Sequence, residues 1–419
     1  MADLSPDTRS LVDEVVRLRR DFHEHPELGF QEHRSAARIA SYLRDLDLDV
    51  REGVAETGVT ALLRGSTPGK TLLLRTDMDA LPLEEQTGLP FASSTTGVMH
   101  ACGHDAHMAS MLVAAKILSG MQNRLSGNVR FVFQPNEEVA GARRMIDEGK
   151  LTAAPKVDGA LGIHVWSSLP LGTIGIMPGP VMAAMDEFRI VIRGKGGHTG
   201  APQYAIDPVL AAASLIVSVQ MIQTREVDVL TPTLVMFGNI HAGGDASNIV
   251  PEEAVLAGTV RYLYEGDANS AEQPRQRFAR IVEGICTAHG TEFSLKWIPS
   301  NPCLVNDPEM SALVREIAAH IIGDENIVPF KCMAGEDFAE FAREVPSAFV
   351  FVGAGNRRNA RYPHHHPKFD IDEAALPIAV DLLVRSTQAF LSENRRNEVR
   401  GNAAPMAFNT SAGPTEKRS

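Results

Sequence analysis

Met99-His100-Ala101-Cys102-Gly103-His104-Asp105-Ala106-His107 puts three histidines, a cysteine and an aspartate into nine residues of a chain with four cysteines and fourteen histidines. Ala101 and Gly103 separate the polar residues, so the backbone can turn tightly and aim several side chains at one point. Behind it, residues 108–118 are apolar and helix-favouring. The stretch reads as a ligand-dense loop that opens a buried helix.

Strands lie on either side of it. Upstream, residues 59–63 and 71–74 read as short apolar strands around Pro68-Gly69, the second ending in Arg75-Thr76-Asp77-Met78-Asp79. Downstream, residues 128–133 end in Gln134-Pro135-Asn136-Glu137-Glu138, and residues 157–163 end in His164-Val165-Trp166. Helices predicted at 107–119 and 141–149 separate these strands, and two more, at 7–20 and 35–46, precede them. Such alternation predicts an α/β sheet. Asp79, Glu137, Glu138 and His164 each follow a predicted strand directly. Ligand sites of open α/β sheets lie beyond the carboxyl ends of the strands, so these four should converge.

The texture changes at Asp186. Residues 187–193 alternate like a half-exposed strand, and 206–223 read as a helix. Strands at 233–237 and 254–262 and a helix at 274–289 complete a β-α-β-β-α-β order, that of a small ferredoxin-like α+β domain. An α/β pattern resumes near Trp297, with helices at 310–321 and 337–343, a strand at 348–352 and a final helix at 376–391. The expected division is therefore a first α/β segment at 1–185, an inserted domain at 186–295, and a second α/β segment at 296–395. Past Glu393 the chain is polar and broken by Pro and Gly, and 396–419 reads as a disordered tail.

Bulk properties narrow the function. A formal charge of −12 argues against a nucleic-acid partner. The first residues offer no basic, then apolar, leader, and no uninterrupted apolar run reaches the ~18–20 residues of a membrane span. Cys102, Cys286, Cys303 and Cys332 form no CxxC pair and read as reduced thiols. The expectation is a cytoplasmic protein with no membrane partner.

Cysteine thiolate and histidine imidazole are common transition-metal ligands, which makes Cys102 and His104 candidates. A cysteine alone is usually a buried packing residue; three further polar side chains beside it need a shared partner when buried. His100, Asp105 and His107 read as support. Adjacent carboxylates at a strand end can divide roles, one binding metal and the other taking a proton, although Glu137-Glu138 could also be a solvated turn. Asp79 is either a carboxylate that orients a ligand or a turn cap, and Asp77 shares the ambiguity. His164 counts only in company. His364-His365-His366 is a histidine tract of unassigned role. His198, in Gly194-Lys195-Gly196-Gly197-His198, follows a glycine-rich run that lacks the spacing of a nucleotide loop; HExxH and GxSxG motifs are absent.

Together these stretches resemble the amidohydrolase branch of the M20 metallopeptidase family, which includes hippurate hydrolases, N-acyl-amino-acid amidohydrolases and plant auxin-conjugate hydrolases. The resemblance rests on His25-Pro26-Glu27-Leu28-Gly29-Phe30, Asp77-Met78-Asp79-Ala80-Leu81-Pro82, His100-Ala101-Cys102-Gly103-His104-Asp105 and Phe133-Gln134-Pro135-Asn136-Glu137-Glu138. It continues through His164-Val165-Trp166, Gly196-Gly197-His198, Asn248-Ile249-Val250-Pro251, Gly335-Glu336-Asp337-Phe338 and His365-His366-Pro367-Lys368-Phe369.

The resemblance implies a zinc-peptidase-like catalytic domain interrupted by a smaller lid domain, which forms a homodimer or higher homo-oligomer. It implies two divalent metals, of which Zn, Mn, Co and Ni all suit the donors. Cys102, His104, Glu138, His164 and His365 map onto the ligands, Glu137 onto the general base and Asp79 onto the orienting carboxylate. His198 maps onto a lid histidine that reaches an active site, in related enzymes that of the partner subunit. Asn248 and Arg261 map near the substrate carboxylate. Asn136 departs from the family, where many relatives have Ala. Other branches carry a metal-binding His at the position of Asp77, and His104 would supply the imidazole here. The implied reaction is hydrolysis of the amide of a small N-acyl amino acid; the alternatives are a dipeptidase or carboxypeptidase-like relative and a non-catalytic binding protein.

Overall fold

The computed structural model describes residues 2–148, 154–228, 230–264, 274–356 and 360–401, with only the backbone considered at 299–300 and 393–401. Its larger sheet has eight strands in the order Asp49–Val54, Gly58–Arg64, Ser126–Gln134, Thr67–Asp77, Gly159–Pro170, Ser347–Gly355, Ile174–Gly175, Ile327–Val328. Ser126–Gln134, Thr67–Asp77, Gly159–Pro170 and Ser347–Gly355 run parallel at its centre; Gly58–Arg64 is antiparallel to that core, and Asp49–Val54, antiparallel to Gly58–Arg64, runs in the core direction again. The chain is of the α/β class.

Burial on both faces explains the apolar central strands. Leu72, Leu74, Val129, Phe131, Leu161 and Val350 meet a helical layer formed by Val12–Glu24, His33–Arg44, His104–Gly120, Pro308–Ile322 and the helix from Leu376. Leu73, Val132, Ala160, Phe349 and Phe351 face Ala142–Asp147 and Phe338–Glu344. Every residue from His104 to Ala115 is buried, so the helix behind the opening stretch is core all round. Leu112→Ala there should cost about 3 kcal/mol.

A second sheet is wholly antiparallel, in the order Thr233–Ala242, Glu253–Tyr262, Ala184–Arg193, Glu292–Asn301. Pro208–Ser218 and Pro274–His289 pack on it through Phe188, Ile190, Leu215, Val235, Leu256 and Phe278. Glu292–Asn301 pairs with Ala184–Arg193 through Trp297, so the boundary expected at 295 falls inside a strand.

Several sequence expectations need correction. Gly159–Pro170 continues six residues past His164, which therefore lies within a strand rather than at its end; its backbone pairs with Phe351. The last helix runs from Leu376 through Gly401, so a tail from 396 is wrong for its first residues, and 402–419 lie outside the described residues. The stretch Glu373–Ser392 is long and apolar enough on average to cross a membrane, but Asp381 and Arg385 interrupt it, and it is mostly buried inside this protein as a core helix.

Candidate metal centre

Gly103 precedes the helix His104–Gly120 with φ +93°, and a Cβ there would come within 2.6 Å of Val165 Cγ2. Only glycine meets both conditions without strain. The turn it permits sends Cys102 and His104 to one place. Cys102 Sγ lies 3.5 Å from His164 Nε2, and the donor atoms of Cys102, His104 and His164 all fall within 4.8 Å of one another. The donors of Cys102, Glu138 and His365 form a second such group, and those of His104, Glu137 and Glu138 a third. All five expected ligands and the expected base are thus brought together.

The tautomers suit metal binding. His104 Nδ1–H donates to the Asp79 carbonyl at 2.8 Å, leaving Nε2 buried with no hydrogen bond. His164 Nδ1–H donates to the Val165 carbonyl at 2.7 Å, which frees its Nε2 toward Cys102. Such outer hydrogen bonds fix which nitrogen offers its lone pair. Asp79 serves two residues, with Oδ1 3.3 Å from His104 Nδ1 and Oδ2 accepting the Glu138 N–H at 3.0 Å.

The histidine tract divides cleanly. His364 Nε2–H donates to the Val165 carbonyl at 3.0 Å, and its ring lies 4.4 Å from that of Trp166. His366 stacks on Tyr362 and accepts the Lys368 N–H through Nδ1. His365 alone of the three faces the cluster, with Nε2 3.2 Å from Glu138 Oε1. Its φ of +64° is tolerated more readily by His than by most residues, and its N–H is tied to the Ala101 carbonyl at 2.8 Å.

The electrostatics ask for cations. Burial, reinforced by Glu336, Glu138 and Asp337, pushes the Glu137 carboxyl well above the usual range. Burial, then Glu138 and Glu137, pushes the Cys102 thiol up. Burial opposes charging His104, but Asp77, Asp79 and Glu138 outweigh it and raise the ring to about 10. His164 is held well below the ordinary histidine range by burial, His107 and His364, which keeps its lone pair available. Buried carboxylates gathered this closely are costly without positive charge. His104 Nε2 and Glu138 Oε1 make no hydrogen bond, and sulfur, imidazole and carboxylate donors match divalent transition metals. The residues fit metal.

Other expected residues fall in supporting positions. His107 Nδ1–H donates to Asp77 Oδ1 at 2.7 Å while its Nε2 accepts the Val165 N–H at 2.9 Å, so both ring nitrogens are engaged. Asp105 accepts from Arg19 Nε and His23 Nδ1, each at 2.8 Å. His100 is buried, and burial lowers it to about 4.

His198, Asn248 and Arg261 are placed differently. Gly197–His198 pairs with Ile249–Val250, and exposed His198 and Asn248 line one groove beside the second sheet. Arg261 donates to the Met333 carbonyl at 3.0 Å. None of the three belongs to the donor groups around Cys102.

Sequence reading missed the charge network under the cluster. Arg75 contacts Asp77 at 2.9 Å, Glu336 at 3.0 Å and Asp337 at 2.7 Å with no solvent exposure of its side chain. An arginine ending the apolar run Leu72-Leu73-Leu74 was the signal, because a buried guanidinium needs carboxylates from somewhere.

The profile of peptidase family M20/M25/M40 matches residues 73–389. The chain is 38% identical to an N-acetyl-L-cysteine deacetylase of Bacillus subtilis (strain 168), over 93% of this chain and 91% of that protein. It is also 38% identical to thermostable carboxypeptidase 1 of Saccharolobus solfataricus, over 90% of this chain and 95% of that one. Among solved structures, the YXEP protein of Bacillus subtilis, described as a dinuclear metal-binding peptidase, superposes with a TM-score of 0.79 at 35% identity, covering 92% of this chain and 99% of its own. Matched in profile, sequence and fold along most of its length, the chain belongs to peptidase family M20/M25/M40.

Proposed function

We propose that the protein is a metal-dependent amidohydrolase that cleaves N-acyl amino acids to a carboxylic acid and a free amino acid. The observation that carries this reading is the membership of Cys102 in two donor groups, one with His104 and His164 and one with Glu138 and His365, beside the partly buried Glu137. Cys102, His104 and His164 would hold one divalent ion, and Cys102, Glu138 and His365 the other, with the Cys102 thiolate shared. When bound, the ions supply Lewis acidity that polarises the amide carbonyl and acidifies water. Glu137 takes the proton of the attacking water as its oxygen bonds to the carbonyl carbon. The same carboxyl then gives that proton to the amide nitrogen as the C–N bond breaks. Asp79 keeps His104 and Glu138 aimed throughout.

We assign His198 to the developing oxyanion and Asn248 and Arg261 to the substrate carboxylate. His198 and Asn248 sit exposed beside the second sheet, which suits a lid or a site in another subunit. Residues 186–301 form that lid in this reading. The exposed apolar side chains of Leu210 and Val217 on its helix and of Met236 and Ile240 on its edge strand favour a homodimer through the lid. A cytoplasmic location agrees with four free cysteines.

The carboxypeptidase relative favours peptides as a second reading. The deciding experiment compares N-acetyl and N-benzoyl amino acids with simple dipeptides, using protein stripped of metal and then reloaded. Hydrolysis of the acyl amino acids only after reloading supports the proposal. Preference for dipeptides replaces it with the second reading, and binding without turnover leaves a non-catalytic protein.

A further inference from the structure

The segment from Gln134 to Ala142 carries Glu137 and Glu138, and one distant carboxylate holds both of its ends. Asp337 Oδ1 accepts from Arg75 Nη2 at 2.7 Å and from Gln134 Nε2 at 2.8 Å. Asp337 Oδ2 accepts from the same Gln134 nitrogen at 2.7 Å and from the Ala142 N–H at 2.8 Å. Gln134 Oε1 closes the circuit by accepting from Arg75 Nε at 2.9 Å. Arg75, Gln134 and Asp337 are each at most 1% exposed, so water does not compete for these bonds.

The segment between the ends needs such a hold. Asn136 and Ala140 both take left-handed backbone conformations, at φ 56° and 74°. Residues with a Cβ leave that region unless their surroundings fix them. The Asn136 N–H is tied to Glu32 Oε1 at 2.9 Å, and the Glu138 N–H to Asp79. Asp337 supplies the ties at the two ends. A carboxylate of Asp337 also lies within 4.8 Å of Glu137, but donors already occupy both of its oxygens.

We propose that Asp337 is a positioning residue for the reaction: it clamps both ends of the 134–142 segment onto Arg75 and so fixes where the Glu137 carboxylate points. The proposal rests on Glu137 being the base. It predicts that the bond to Gln134, not merely a negative charge at 337, is what counts.

The test uses Asp337→Asn, Gln134→Glu and the two combined. Asp337→Asn sets an amide against the Gln134 amide, and Gln134→Glu sets two carboxylates against each other. Each single variant should lose about 10–100-fold in kcat, the scale of a misplaced catalytic group, with KM and bound metal unchanged. In metal-free protein, each should also speed hydrogen exchange at the amides of residues 136–142. The combined variant again faces a donor with an acceptor between 134 and 337, in the reverse direction; with the Asn oxygen kept on the Ala142 N–H and Arg75 Nη2 left to Glu336, it should recover part of kcat and slow exchange. Wild-type kcat and exchange in a folded single variant overturn the proposal, as does a combined variant no better than the worse single one. A kcat loss that merely follows lost metal overturns it too. Gln134→Glu carries the test alone if Asp337→Asn does not fold. Glu137→Gln is the control: wild-type turnover in it overturns the reading of the base, while exchange at 136–142 still judges the clamp.

Discussion

The two sheets handle their polar residues in opposite ways. The larger one is mostly apolar on both faces and gathers its polar groups at and beyond the carboxyl ends of parallel strands, where Asp77, Gln134 and the segment to Glu138 meet. The smaller one is covered on one face, and its edge strand Thr233–Ala242 exposes Met236 and Ile240. All five proposed metal ligands and the proposed base belong to the first region and converge within it. His198 and Asn248 belong to the second and face outward. Metal binding should therefore depend on the first region alone, and turnover on both.

That division can be broken experimentally. Cys102→Ala should release metal and lower kcat by about three orders of magnitude, because the shared thiolate is lost from both donor groups. Unchanged metal content measured by inductively coupled plasma mass spectrometry would remove Cys102 from the cluster. His198→Ala should keep both ions and lower kcat by about 100-fold, the scale of one oxyanion donor. Mixing it with inactive Glu137→Gln chains should restore part of the activity if the two residues meet across subunits; no restoration would place them within one chain.

Metal uptake sharpens the comparison further. His104 keeps its proton up to about 10 in the metal-free protein and must release it to bind. Cys102, whose thiol is also pushed up, must release a proton as well, so zinc affinity of the stripped protein should tighten as pH rises, by up to about tenfold per unit for each proton released. A flat profile across neutral pH would mean that neither group gives up a proton to the ion. The smallest effect is structural. Gly103→Ala should cost about 1–3 kcal/mol in denaturant unfolding, through its left-handed φ and the contact with Val165. Unaltered stability would show that the turn tolerates a side chain.

Local patterns in the sequence revealed the loop-helix unit, the strands that feed it and the polar residues beyond them. Those signals are short-range, set by residues a few positions apart. Asp49–Val54 escaped notice because four of its six residues are exposed and its charges hide any alternation. His164 looked terminal because Trp166 and the polar residues after it resemble a strand end, whereas backbone pairing with Ser347–Gly355 carries the strand on to Pro170. The Arg75 network was out of reach for a different reason. Its partner Asp337 lies 262 positions away, and only the fold brings the two together. The resemblance singled out His365 from its tract; the physical basis, the turn that points His364 at Val165, needed the fold.

The central claim is that Glu137 moves the proton while its neighbours hold the metal. The direct measurement is kcat and metal content of Glu137→Gln, assayed side by side with the unaltered protein on an N-acyl amino acid. The account predicts two ions retained and kcat lower by about 10²–10⁴-fold. Turnover near that of the unaltered protein, with metal in place, would contradict it.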